Sequence, residues 1–251
     1  MTLTSRAIAF ASQRFPKLSS RVLASSGYTL DLDWFGPDAF RVWDTDTAKR
    51  QDRAWRPLVA EAIAGRPRDD IAALYSAIDS LPAPVGSVLE VGCGGGYNSE
   101  LIGHHSPGIH YTGVDLAASM VDISRRKYPD QTFIEASALD LPFADDAFDV
   151  VMDGVALLHI PPWTTALAQY ARVASRYVIL HGLTLSDEPT VTFAKYAYGQ
   201  PSRELVFNRA EMLAEATRAG LTLLSTHPGD DYDLEEYLGI PTVSETWVLS
   251  V

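Results

Sequence analysis

From about residue 84 to residue 251, short runs of consecutive apolar positions alternate with stretches in which apolar residues recur every three or four places. The runs Ser87–Val91, His110–Asp115, Gln131–Ala136, Asp149–Asp153, Tyr177–His181, Thr222–Thr226 and Glu245–Val251 are expected as strands. Most are apolar on successive residues, as strands covered on both faces are. Between them, Asn98–Ser106, Ala117–Tyr128, Pro162–Ala174 and Arg209–Ala219 carry helical spacing. The last has its own boundary signals: Asn208 as N-cap, Glu211 placed to reach back as in a capping box, and Gly220 as the stop. Strand and helix in alternation imply a parallel sheet with crossover helices.

Before residue 84 the pattern changes to helix-like stretches broken by Pro16, Gly27, Gly36-Pro37, Gly65-Arg66-Pro67 and Pro82-Ala83-Pro84. Trp34, Trp43 and Trp55, with Tyr28, Phe35 and Phe40, make this segment too apolar for a disordered tail. Residues 1–84 are expected to form a helical cap or lid on an α/β domain spanning 85–251. Within that domain, 186–207 reads as an insertion before the last long helix, with Tyr196, Tyr198, Arg203 and Glu204 as a second wall of a site.

The chemical signal is concentrated in Val88-Leu89-Glu90-Val91-Gly92-Cys93-Gly94-Gly95-Gly96-Tyr97-Asn98, where a buried strand runs into a glycine-rich turn and then a helix. Glycines there admit unusual backbone angles and let a ligand reach the main chain, and the helix N-terminus presents unpaired N–H groups. Dinucleotide-binding folds require G-x-G-x-x-G. Here the third position falls on Tyr97 or Ser99, so that register fails, and the pattern is an acid, one residue, then G-x-G-x-G.

This segment resembles motif I of the class I S-adenosylmethionine-dependent methyltransferases of small-molecule and biosynthetic type. The resemblance covers roughly residues 85–251 and is strongest up to His159. It implies a Rossmann-like seven-stranded mixed sheet with helices on both faces, the last strand antiparallel. It implies S-adenosylmethionine as cofactor, with S-adenosylhomocysteine as product. By resemblance Glu90 helps hold the methionine ammonium, Gly92, Gly94 and Gly96 pass beneath the cofactor, Asp115 holds the ribose, and Leu116 and Met120 flank adenine. Ser137 and Ala138 take the adenine edge, with Ser137 standing where many relatives have Asp. Asp153, after the fourth strand, is a further cofactor-side candidate.

Methyl transfer from a sulfonium demands alignment and exclusion of water more than side-chain chemistry. A hydroxyl acceptor also benefits from a general base. His159 lies just past the fourth strand and His181 closes the fifth, where open α/β sheets bind ligands, and these are the catalytic candidates. Ile160-Pro161-Pro162-Trp163 superficially resembles an amino-methyltransferase tetrad, but it lacks the polar first residue, and proline at a helix start explains it. Asp230, Asp231, Asp233, Glu235 and Glu236 read as a solvated acidic loop, and no metal is assigned.

Composition narrows the partners. The net charge of −12 argues against nucleic acid, whose binding rests on clustered Lys and Arg. The basic residues Arg6, Arg14, Lys17 and Arg21, with no acid before Asp31, read as a docked helix over Leu3–Phe15, with targeting or surface binding as alternatives. One cysteine, Cys93, permits no intrachain disulfide, and no apolar run reaches the roughly 20 residues of a membrane span. The expectation is a cytoplasmic enzyme transferring methyl to an O, N or C atom of a small-molecule acceptor. The alternatives are a cofactor-binding protein of the same fold with another role, or a protein methyltransferase. Oligomeric state is left open.

Overall fold

The computed structural model describes residues 27–32, 45–197 and 200–251. The expected Leu3–Phe15 helix and Trp34, Phe35, Phe40, Trp43 and Tyr198 lie outside the described residues. Among the described residues, helices α1 (Thr45–Ile63) and α2 (Asp69–Asp79) precede the sheet. They are followed by β1 (Ser87–Val91), α3 (Tyr97–His105), β2 (His110–Asp115), α4 (Ala118–Lys127), β3 (Thr132–Glu135) and β4 (Phe148–Asp153). A 3-10 turn (Leu157–His159) and α5 (Trp163–Val173) lead into β5 (Ala174–Ser186), β6 (Val191–Ala197) and β7 (Gln200–Asn208). The chain closes with α6 (Arg209–Arg218), β8 (Thr222–Pro228), α7 (Glu235–Leu238) and β9 (Val243–Ser250).

Strand order is β3-β2-β1-β4-β5, all parallel, with β9 antiparallel on β5 and β8 antiparallel on β9. These are the seven expected strands. Because side chains alternate along a strand, the sheet buries two clusters, one on each face. Leu89, Val91, Val151 and Leu180 pack with Leu167 and Tyr170 of α5 and Met212 of α6. Val88, Val150, Met152 and Ile179 pack with Leu74 of α2, Ile102 of α3 and Val121 of α4.

The 186–207 insertion is itself a hairpin, β6–β7, so the sheet has nine strands. Among the described residues it pairs with the sheet at two parallel positions, Leu185 with Phe207 and Ser186 with Asn208. Strand β5 runs past Gly182, where the sequence suggests a stop, because a register shift between Leu180 and Leu183 absorbs the glycine's φ of 66°. The capping box is also modified. Asn208 Oδ1 accepts from Glu211 N at 2.9 Å, but Glu211 does not reach back directly. Thr190 bridges, accepting from Asn208 N at 2.9 Å and donating to Glu211 Oε2 at 2.5 Å.

Candidate functional site

A cavity of about 730 Å³ opens beyond the carboxyl ends of β1, β2, β4 and β5, with α1, the hairpin and the loop after β8 as walls. Gly92, Gly94, Asp115, Leu116, Met120, Ser137 and Ala138 line one end. His159 and His181 line the other, with Lys195, Glu204, Asp230 and Tyr232. Glu90, Gly96 and Asp153 are not among the residues that line it, and lie just beneath the turn and the loop after β4.

The glycine turn is held by backbone bonds from Gly92 N and Cys93 N to Val114 O, 2.8 and 2.9 Å, which tie the end of β1 to β2. At Gly92 φ is 76°, and a Cβ there would sit 2.2 Å from Ala156 Cβ, so no other residue fits. At Gly94 φ is 52°, and a Cβ would stand 3.1 Å from Gln51 Oε1. Asp115 accepts from Gly94 N (2.9 Å) and Ala117 N (2.8 Å), one bond to each oxygen, which clamps the loop to the start of α4. Burial raises its pKa, against the pull of those two N–H donors.

Glu90 and Asp153 are absent from the lining for a simple reason. Period two along β1 sets Glu90 opposite Val91, and only Val91 reaches the cavity. Both Glu90 oxygens are engaged beneath the loop, Oε1 by Asn98 Nδ2 at 2.7 Å and Oε2 by the Tyr111 hydroxyl. Burial pushes the Glu90 carboxyl up to about 7, against those two donors, and the nearby Asp153 and Asp115 push the same way. Asp153 caps the 3-10 turn, accepting from Leu157 N (3.0 Å), Ala156 N (3.2 Å) and Tyr170 Oη (3.0 Å), and burial raises it to about 7 as well. The loop it holds contains Val155 at φ 62°, a left-handed conformation that is costly for a β-branched residue.

The two histidines are both buried but differ in setting. His159 Nδ1 lies 2.8 Å from Arg203 O, and since a carbonyl only accepts, Nδ1 carries the proton and Nε2 is the basic nitrogen of the neutral ring. Burial lowers its pKa, with Glu204 opposing. His181 Nδ1 pairs with Thr246 Oγ1 at 2.9 Å, and burial pushes its pKa down to about 4, against the nearby Asp70 and Asp230.

Several lining residues carried no signal in the sequence. Gln51 of α1 stands over Gly94 with Oε1 buried and without a hydrogen-bond partner among the described residues. Trp55, one turn on, stacks on Tyr97 at 4.0 Å and 9°. Arg68 pairs with Asp70 at the start of α2. Asp230 was expected in a solvated loop, and instead lines the cavity near His181 and Arg68. Ile160, Pro161 and Pro162 line it too, while Trp163 opens α5 and is buried in the core. Among the described residues no group of three or more His, Cys, Asp and Glu could hold a metal, and no helix is long and apolar enough to cross a membrane.

Residues 89–180 match the family described as the methyltransferase domain. The chain is similar to the demethylmenaquinone methyltransferase of Renibacterium salmoninarum, 31% identical over 49% of this chain and 44% of that protein. It is also similar to the phthiotriol/phenolphthiotriol dimycocerosates methyltransferase 1 of Mycobacterium ulcerans, 33% identical over 52% of this chain and 49% of that one. The matched region thus spans less than half the length of these relatives. In fold it is similar to the 1,6-didemethyltoxoflavin-N1-methyltransferase of Burkholderia thailandensis, solved with S-adenosylhomocysteine, at a TM-score of 0.52 and 17% identity over 81% of this chain and 87% of that one. The glycine turn, the acid at the end of β2, the sheet order with its antiparallel last strand and the matched domain agree: residues 89–180 carry a methyltransferase domain, and the chain is similar to S-adenosylmethionine-dependent methyltransferases of class I.

Proposed function

We propose that the chain transfers a methyl group from S-adenosylmethionine to an O, N or C atom of a small molecule. The observation that carries the reading is that one cavity joins the glycine turn and Asp115 to a polar pocket walled by the hairpin. That enclosure suits a small acceptor, and the relatives' names, which specify demethylmenaquinone and phthiotriol compounds, favour the same class.

The residues present fit the cofactor. Asp115 retains acceptor capacity for ribose hydroxyls after its two backbone bonds, since a carboxylate offers about four sites. The buried Gln51 Oε1 beside Gly94, without a hydrogen-bond partner among the described residues, is an acceptor that an ammonium group over the turn would satisfy. Gln51 therefore takes the role expected of Glu90, while Glu90 and Gly96 position the turn from beneath. Leu116 and Met120 flank the adenine, with Ser137 and Ala138 at its edge. When bound, the cofactor supplies an electrophilic methyl carbon on a sulfonium.

The protein's own part is to orient the acceptor, exclude water and take its proton where the nucleophile is a hydroxyl. His159 is the proposed base: its neutral tautomer is fixed by Arg203 O, and its Nε2 carries the lone pair. His181, at about 4, stays neutral and orients through Thr246. Asp153 acts through the turn that carries His159.

Calorimetric titration with S-adenosylmethionine, S-adenosylhomocysteine and NAD, on the wild type and on Asp115→Ala and Gln51→Leu, tests the reading. Binding of both sulfur ligands, lost in Asp115→Ala and weakened about tenfold in Gln51→Leu, is expected. No binding of either, or saturable NAD binding, overturns it.

A further inference from the structure

The hairpin brings a charged pair into the cavity wall. In the antiparallel register Lys195 faces Ser202 and Phe193 faces Glu204, so Lys195 and Glu204 are diagonal neighbours on one face. Lys195 Nζ lies 2.8 Å from Glu204 Oε2 and donates to Tyr232 Oη at 2.7 Å, and Tyr232 in turn donates to the same Glu204 oxygen at 3.3 Å. The ammonium also stands over the rings of Tyr232 and Tyr28, at 4.8 and 6.0 Å from their centroids. Both charged side chains are largely buried, 17% and 7% exposed, and both line the cavity.

Burying a charged pair costs desolvation that its own attraction only partly offsets, so it is a poor device for stability alone. What it offers the cavity is residual valence. Glu204 Oε1 receives no hydrogen bond from a described residue, and Lys195, with three N–H donors, spends them on one carboxylate oxygen and one phenol. A donor and an acceptor of opposite charge thus stand side by side, with no net charge between them.

We propose that Lys195, Glu204 and Tyr232 form the acceptor subsite, and that it selects a neutral acceptor carrying a hydroxyl next to a carbonyl oxygen. The hydroxyl donates to Glu204 and the carbonyl accepts from Lys195. A carboxylate in that place would face Glu204, and an ammonium would face Lys195. Each places like charges together out of water, the kind of repulsion by which sites reject wrong partners. Ile160, Pro161 and Pro162 supply apolar surface for the rest of such a molecule. The inference rests on the proposed methyl-transfer reading, because it assigns this end of the cavity to the acceptor.

The test uses four probes on the protein saturated with S-adenosylhomocysteine: ortho-hydroxyacetophenone, acetophenone, benzoate and tyramine. Affinities come from calorimetry and ligand-observed NMR. The hydroxyketone is expected to bind about tenfold tighter than acetophenone and tighter than either charged probe. Glu204→Gln leaves Lys195 uncompensated and should shift the preference to benzoate. Lys195→Met leaves Glu204 uncompensated and should shift it to tyramine. These are gains of binding, which a misfolded variant does not give, and homocysteine-ligand affinity in each variant reports on the fold. Equal binding of hydroxyketone and acetophenone, or variants with wild-type preference, overturns the subsite while leaving the cofactor reading intact. Loss of S-adenosylhomocysteine binding in the wild type, with hydroxyketone selectivity retained, overturns the cofactor reading and leaves the subsite standing.

Discussion

Replacing Glu90 by Gln should make the protein more stable at neutral pH than the wild type, by an amount that grows with pH. Glu90 ionises at about 7 in the folded chain, against an ordinary 4.5. That difference is worth about 3 kcal/mol at 1.36 kcal/mol per unit. Below pH 4.5 the carboxyl is protonated in both folded and unfolded chains and contributes no pH dependence. Between 4.5 and 7 the unfolded chain releases its proton and the folded chain holds it, so stability falls as pH rises, and above 7 the full loss is present. Gln keeps a carbonyl oxygen for Asn98 Nδ2 and an amide for Tyr111, and has no proton to lose. Urea unfolding of both proteins from pH 4.5 to 8.5, read as the difference between them, cancels the groups that do not interact with Glu90 and leaves its own titration together with its coupling to Asp153 and Asp115. The difference should move in favour of Gln by up to about 3 kcal/mol across that range. A difference that stays flat would refute the claim that desolvation of the acid under the glycine turn dominates its titration.

Three further outcomes are expected. Gly92→Ala should cost roughly 2 kcal/mol or more by thermal or urea unfolding and weaken S-adenosylhomocysteine binding, because the new methyl would lie 2.2 Å from Ala156 Cβ in a left-handed backbone; unchanged values would refute the close approach. His159→Gln should lower kcat about 10² to 10⁴-fold with homocysteine-ligand affinity unchanged. Because burial holds His159 below 6.5, the acidic limb of the wild-type kcat profile should lie below that pH, and an inflection above 7 would point to another base. Thr190→Val should destabilise by about 1 kcal/mol, since it removes the hydroxyl joining Asn208 N to Glu211; a neutral effect would show that the Asn208 side chain caps α6 alone.

What could be read from the sequence depended on whether the signal was local. The strand at Ser87–Val91 and the helix after it were legible because a fully apolar run meets glycines that only a ligand-bearing turn requires, and the acid at Asp115 follows from the length of one βα unit. The far edge of β5 was not, because Gly182 reads as a stop until β9 is seen to absorb it in a bulge. The hairpin was hidden because its cavity-facing positions include Lys195 and Glu204, charges that break the alternation by which a strand is recognised. Gln51, Arg68 and Asp230 belong to no local pattern, and only the packing of α1, the start of α2 and the β8–α7 loop around one cavity brings them together. For Glu90 the motif was legible, but not that Asn98 and Tyr111 take both its oxygens beneath the turn, because those partners come from α3 and β2.

The two-pair attachment of the hairpin has an evolutionary consequence. The cofactor end of the cavity is built on the central parallel strands, whereas Lys195 and Glu204 ride on a ribbon whose backbone pairs with the sheet only at Leu185 and Ser186 among the described residues, although Leu205 and Phe207 anchor it in the core. Mutation at its tip or at its cavity-facing charges leaves the parallel ladder of β1 to β5 untouched, while Leu205 and Phe207 must stay apolar. On the proposed reading, acceptor choice can therefore drift at those few positions while the methyl donor's end of the cavity is held fixed.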